Sequence, residues 1–236
     1  IITGMIETAE NLAKDYGITR EQADEYAVMS HKRATAAWAE KRFADELVPV
    51  SVPKKRGETE LFAEDEGYRA DASMQTLGAL KPIEKNGIVT AGNASQQNDA
   101  AAACLVVAED KLEELSLQPR AWFHSWAAAG CDPSRMGIGP VPAVERLFKR
   151  TGLGWKDIDL VELNEAFAPQ VLAVLKGWGW DDRDKLNVNG SGISLGHPIG
   201  ATGGRILANL VNELERRGGR YGLETMCIGG GQGLAA

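Results

Sequence analysis

The sequence lacks most of the features that would assign it quickly. Cysteine is scarce: Cys104, Cys131 and Cys227 are an odd, widely spaced set with no C-x-x-C pair. No disulfide framework is expected, and a reducing compartment is the simplest fit. No apolar run approaches the roughly 18 residues of a membrane span. No signal-peptide pattern occurs either, so a cytoplasmic location is the expectation. Positive charge is in deficit, with 26 Lys and Arg against 33 Asp and Glu and a net charge of −7. That argues against nucleic acid or an anionic membrane as the main partner. No Lys-Ser/Thr pair follows the glycines and no full G-x-G-x-x-G occurs, which removes the phosphate-loop chemistries. There is no solenoid-type repeat. An initiator methionine is missing too: the chain opens Ile1-Ile2-Thr3 and reads as a piece of something longer.

What is present is an ordinary globular composition, 44% hydrophobic and 25% charged over 236 residues. That is room for one large domain or two small ones. Residues 1 to about 45 read as two helices. Ile6, Ala9, Ala13 and Tyr16 share one face of the first, and Gly17 ends it. Thr19 and Gln22 form a capping-box pattern that opens the second, whose inner face is Ala23, Tyr26, Ala27, Ala34, Ala37 and Trp38. His31, beside Lys32 and Arg33, reads as a solvated surface histidine. Val48, Val50 and Val52 alternate as in a half-buried strand, with Pro49 and Pro53 placing it at an edge. The charged run 54–66 reads as a solvated hairpin or loop whose Lys54-Lys55-Arg56 could meet a phosphate. A short amphipathic turn follows within 72–85. Residues 90–95 form a small-residue loop. Cys104 lies in the apolar run 104–107, as a buried inert thiol would.

Beyond residue 118 strand and helix patterns alternate. Strands are expected at 121–128, 158–163, 186–189 and 224–228. Helices are marked by Val144, Leu147 and Phe148, by Phe167 to Trp178, and by Ile206 to Leu214. The alternation means a layered α/β fold. His124, mid-strand between Trp122 and Trp126, reads as structural. Three segments here end strands in polar or glycine-rich turns: 163–167, 196–198 and 227–231. Ligands gather at strand carboxyl ends in such sheets. If the three ends share a side, an amide (Asn164), an imidazole (His197) and a thiol (Cys227) converge. The imidazole can move a proton near neutral pH. The thiol can serve as nucleophile or base. The asparagine, and N–H groups of the Gly229-Gly230-Gly231 turn, can meet a developing oxyanion. This is a kit for acyl or carbanion chemistry.

NVNGSGISLGHPIGATGGR at 187–205 and CIGGGQGLA at 227–235 resemble the two C-terminal signature motifs of thiolases. NEAFA at 164–168, GNAS at 92–95 and MGIGP at 136–140 match further family blocks in the expected order. The likeness runs from about Glu7 to Ala236. It implies a thiolase-like layered fold and coenzyme A-dependent carbon–carbon chemistry: Claisen condensation of two acetyl-CoA, or thiolytic cleavage of a 3-ketoacyl-CoA. By that likeness, His197 activates the nucleophile and, with a water held by Asn164, stabilises the enolate or thioester oxygen. Cys227 takes or returns the α-proton. The Gly229 N–H joins a second oxyanion hole, Ser95 contacts the pantetheine arm, and Met136 lines the acyl pocket. Coenzyme A and acyl-CoA enter as substrates; no metal or permanently bound cofactor is implied. A homodimer or homotetramer is.

One part of the family pattern is missing. No segment resembles the motif around the family's acylated cysteine, and Cys104 and Cys131 lie in the wrong context. The expectation is therefore a C-terminal portion lacking the N-terminal half, which the same or a separate chain would supply. On that expectation residues 1–90 belong to the loop domain, 91–117 close the N-terminal domain, and 118–236 form the C-terminal α/β domain. The rival reading is a CoA-binding subunit or fragment without turnover. A ketoacyl synthase fits less well, because the Cys227 turn stands where those enzymes use a second His or an Asn.

Overall fold

The computed structural model describes residues 4–236. Ile1 to Thr3, and with them the observation on the missing methionine, lie outside the described residues, as does the Arg56 side chain of the basic run. Helix α1 (Met5–Asp15) buries Leu12 and Ala13 against Ala173. Helix α2 (Arg20–Ala39) opens with the expected capping box: Thr19 Oγ1 accepts from the Gln22 N–H at 3.2 Å, and Gln22 Oε1 accepts from the Thr19 N–H at 3.0 Å. The inner face of α2 is mostly alanine, which lets its backbone approach the core closely.

Four details differ from the sequence reading. His31 is buried, only 4% exposed, and its Nδ1 accepts the Arg69 N–H at 3.1 Å. Its charged neighbours Lys32 and Arg33 sit round the helix, and the periodicity of the alanines hid the fact that His31 shares their side. Strands β1 (Val50–Pro53) and β2 (Thr59–Phe62) form an antiparallel hairpin with all eight residues exposed, rather than half-buried. Cys104 is exposed, because residues 99–108 form no regular secondary structure and lie at the surface with Leu105 and Val106 also uncovered. The strand expected over 121–128 begins only at Ala127, and Trp122 and Phe123 lie on the surface. A short helix, α3 (Met74–Gly78), follows the hairpin.

The second half is a layered α/β unit. Strand β3 (Ala127–Gly130) leads through a 3₁₀ stretch (Pro133–Ile138) to α4 (Pro140–Thr151). Then come β4 (Leu160–Leu163), α5 (Ala168–Trp178), a one-turn α6 (Gly192–Leu195), α7 (Thr202–Arg217), β5 (Gly222–Ile228) and β6 (Gln232–Ala235). The sheet order is β3-β6-β5-β4, with β4 and β5 parallel and the other pairs antiparallel. Every residue of β4 is buried, as a parallel strand covered on both faces requires. Val161 and Leu163 join the cluster that holds α4 and α5, while Leu160 packs on the other face with Leu210 of α7.

The stretch 186–189 is not a ladder strand. Leu186 makes a single parallel bridge to Val161, and Asn187 then clasps β4 with its side chain. Its Oδ1 accepts the Leu163 N–H and its Nδ2 donates to the Leu163 carbonyl, both at 2.8 Å. At the far end of α5 three tryptophans gather: Trp155 stacks on Trp180 with centroids 4.6 Å apart, and Trp178 lies 4.9 Å from Trp155.

Candidate active site

The parallel register aligns Leu163 of β4 with Thr225 of β5, so both strands reach their carboxyl ends on one edge of the sheet. β4 runs into Asn164 and β5 into Gly229. The 186–189 stretch bridges parallel to β4 and leads into the glycine-rich segment. The turn 164–167 is the hub of what gathers there.

Asn164 is fully buried. Its backbone N–H donates to the Thr225 carbonyl at 3.1 Å. Its carboxamide Nδ2 lies 3.4 Å from both ring nitrogens of His197. His197 follows Gly196, whose φ of +96° is a conformation that side chains other than glycine's rarely adopt. The His197 N–H donates to the Gln96 carbonyl at 3.2 Å, and the Ser95 N–H donates to the Ala166 carbonyl at 2.9 Å. The GNAS loop is thereby laced between the hub and the imidazole. Cys227 is buried in a small apolar group with Met136, Ala166 and Phe167. Gly229 is exposed on the β5–β6 turn, its carbonyl near the Gln232 amide. All six residues singled out in the sequence therefore lie on or beside the strand ends and the hub turn.

Three residues that the sequence reading passed over belong here too. Thr202 Oγ1 sits 2.7 Å from His197 Nδ1 and donates to the Pro198 carbonyl at 2.9 Å. With that single hydroxyl proton committed, Nδ1 carries the ring proton and donates to Thr202, which leaves the Nε2 lone pair available. Burial, and then the Arg205 guanidinium, hold the His197 pKa below its ordinary value, so the ring is neutral at pH 7. Cys131 is the second: its thiol approaches the Met136 carbonyl at 3.7 Å. The third is Glu165, treated below. Burial pushes the Cys227 thiol up to about 12, so it holds its proton at neutral pH. A groove of about 500 Å³ on the outer face of α2 is a different place. Its Arg33 and Arg42 are already occupied by the Leu186 and Arg183 carbonyls and by Asn189.

Gly192 shows how tightly the loops meet. A Cβ there would lie 2.6 Å from the Glu165 carbonyl oxygen and 2.9 Å from Asn164 Oδ1. Gly192→Ala must push the glycine segment off the hub turn. The expected cost is about 1–3 kcal/mol of stability, read as a lower urea midpoint with an unchanged slope.

Comparison with known proteins supplies the family. The family description "Thiolase, C-terminal domain" matches residues 117–236, and "Thiolase, N-terminal domain" matches residues 3–110. The second match corrects the expectation of a C-terminal portion lacking the N-terminal half: residues 3–110 match the N-terminal domain, so both family domains are represented. The sequence reading looked only for the motif around the acylated cysteine and took its absence for the absence of the domain. The acetyl-CoA acetyltransferase of Chromobacterium violaceum is 50% identical over 229 residues, covering 97% of this chain and 58% of that protein. The crystal structure of the Bacillus anthracis acetyl-CoA acetyltransferase superposes with a TM-score of 0.95 at 47% identity, over 98% of this chain and 58% of that one. Human mitochondrial 3-ketoacyl-CoA thiolase in complex with CoA superposes at 0.88 and 45% identity, over 98% and 57%. The chain thus spans a little under three fifths of the length of these relatives. With matches to both family domains and a fold shared with these solved structures, the chain belongs to the thiolase family.

Proposed function

We propose that this chain provides much of the catalytic machinery of an acyl-CoA C-acyltransferase. The reaction is the condensation of two acetyl-CoA to acetoacetyl-CoA, or the thiolytic cleavage of a 3-ketoacyl-CoA. The observation that carries the reading is the neutral His197 ring held against the Asn164 carboxamide at the strand ends where Cys227 also lies. In the cleavage direction His197 Nε2 takes the proton of an enzyme thiol, whose thiolate attacks the 3-keto carbon, and the carbon–carbon bond breaks. The electron pair becomes the enolate of acetyl-CoA. Cys227, protonated at neutral pH, gives that enolate its proton. The Cys227 thiolate so formed then takes the thiol proton of coenzyme A, whose sulfur attacks the acyl-enzyme and releases the shortened acyl-CoA, while the departing enzyme thiolate recovers its proton from His197. Asn164 Oδ1 is buried without a protein partner among the described residues, which suits it to hold a water whose protons face the developing oxyanion. The Gly229 N–H serves the second oxyanion, Ser95 the pantetheine arm and Met136 the acyl pocket.

The acylated cysteine lies outside these 236 residues. Of the three cysteines present, Cys104 is on the exposed stretch, Cys131 is held at Met136, and Cys227 is assigned to proton transfer. Further polypeptide, in the same or another chain, covers the exposed Leu105, Val106, Trp122 and Phe123. Assembly as a homodimer or homotetramer belongs to the same proposal. The test is to co-express this chain with the part of the Chromobacterium violaceum enzyme outside the matched region. Cleavage of acetoacetyl-CoA by the purified complex, with none from either piece alone, is expected. A complex that forms and binds CoA but never turns over would instead make this a CoA-binding subunit.

A further inference from the structure

Glu165 follows the site asparagine, yet its carboxylate points away from His197. Successive side chains of an extended turn face opposite sides, so Asn164 meets the imidazole while Glu165 enters the interior, where it is fully buried. Four donors from two separate segments converge on it. Tyr26 Oη donates at 2.8 Å and Ser30 Oγ at 2.6 Å, both from α2. Asn187 Nδ2 donates at 3.1 Å and the Ile193 backbone N–H at 3.2 Å, both from the glycine-rich segment. Asn187 is also the residue that clasps Leu163 of β4. Ser30 in addition shares a hydrogen bond with Ser194, three residues before His197, at 2.8 Å. A buried carboxylate with every hydrogen bond made is held rigidly, because losing any one donor leaves a charge uncompensated.

We propose that Glu165 is a positioning residue: its clasp fixes the separation between Asn164 and the loop that carries His197, with α2 as the strut. A carboxylate used only to glue α2 to the core would have no need of the Ile193 N–H. That bond draws the glycine segment down onto the hub beside Gly192, where a Cβ would lie 2.6 Å from the Glu165 carbonyl oxygen and 2.9 Å from Asn164 Oδ1. Tyr26 and Ser30 touch neither Asn164 nor His197 in any hydrogen bond described, so any influence they have on the imidazole passes through Glu165, through Ser194, or through Asn187, whose Nδ2 also donates to Tyr26 Oη at 3.2 Å.

The inference rests on the reading of Asn164 and His197 as the reacting pair, but its test reads geometry rather than turnover. The chain has three histidines, so the His197 ring signal is identified as the one lost in His197→Gln. In Glu165→Gln and Tyr26→Phe the His197 signal is expected to move and its titration midpoint to change by more than about 0.2 pH unit. The His124 signal serves as an unmoved reference. Folded Glu165→Gln and Tyr26→Phe proteins whose His197 signal and midpoint superimpose on the parent would overturn the proposal and leave Glu165 a structural staple. If Glu165→Gln does not fold, Tyr26→Phe decides alone, since it removes one donor and leaves three. Should His197 respond as expected while His197→Gln retains full turnover in the complemented enzyme, the catalytic reading fails and the clasp stands.

Discussion

Glutamine in place of His197 lowers turnover of the complemented enzyme by about 10²–10⁴-fold, with little change in KM for the thioester. The size follows from what is removed. Nε2 is the lone pair left over once Nδ1 donates to Thr202. Glutamine can still donate a hydrogen bond toward the substrate oxygen, but it cannot take a proton from a thiol. The loss therefore falls on the proton transfer rather than on binding. Wild-type activity should also persist below the usual histidine range, since burial and Arg205 depress the ring pKa. Acid inactivation then sets in as pH falls through that lowered value. Retention of more than a tenth of the parental kcat by His197→Gln would remove His197 from the role of base.

Acid destabilises the folded chain through a second histidine. His31 is buried, and its pKa is lowered to about 4 chiefly by loss of water, with Arg69 nearby adding to the effect. An unfolded chain binds a proton there near pH 6.5, whereas the folded chain does so only near 4. Between those values the unfolded state holds more protons, so stability falls as pH falls, by about 3 kcal/mol in all. Glu46 and Glu224 act in the opposite sense. Burial raises each to about 7 from 4.5, so the folded chain takes up those protons first and gains stability as pH drops through that window. Only a difference measurement isolates the histidine. His31→Asn keeps an acceptor near Nδ1 and does not titrate. The stability difference between it and the parent, from urea curves at pH 7 and pH 4, should close by about 3 kcal/mol on the acid side. A gap independent of pH would mean that His31 is not buried neutral.

Much of this architecture could be read from residue order, and the parts that could not have physical causes. The Thr19–Gln22 cap, the inner face of α2 and the alternation after residue 118 are local patterns, and they appear in place. The strand-end constellation could also be read, because Asn164, His197 and Cys227 each close an apolar run with a polar or glycine turn. The 186–189 stretch misled because its apolar residues suit a strand, while Asn187 binds β4 with its side chain instead. Leu105, Val106, Trp122 and Phe123 carry strand-like sequence without strand pairing, since apolar periodicity records a partner whether or not the partner is present. His31 shows the opposite limit: a polar residue on an alanine face is indistinguishable in sequence from one on its rim. Glu165 was passed over because four donors, from positions as far apart as 26 and 193, leave no spacing to recognise.

The indole trio at the end of α5 gives the protein an optical gauge. Trp155 and Trp180 lie face to face at 4.6 Å with Trp178 alongside, close enough for their excited states to couple and produce a paired positive and negative band in ultraviolet circular dichroism. α5 begins at the hub turn and ends in that trio. Any shift in how the helix seats, whether from a ligand or from an added chain, is therefore written into a signal that needs no label.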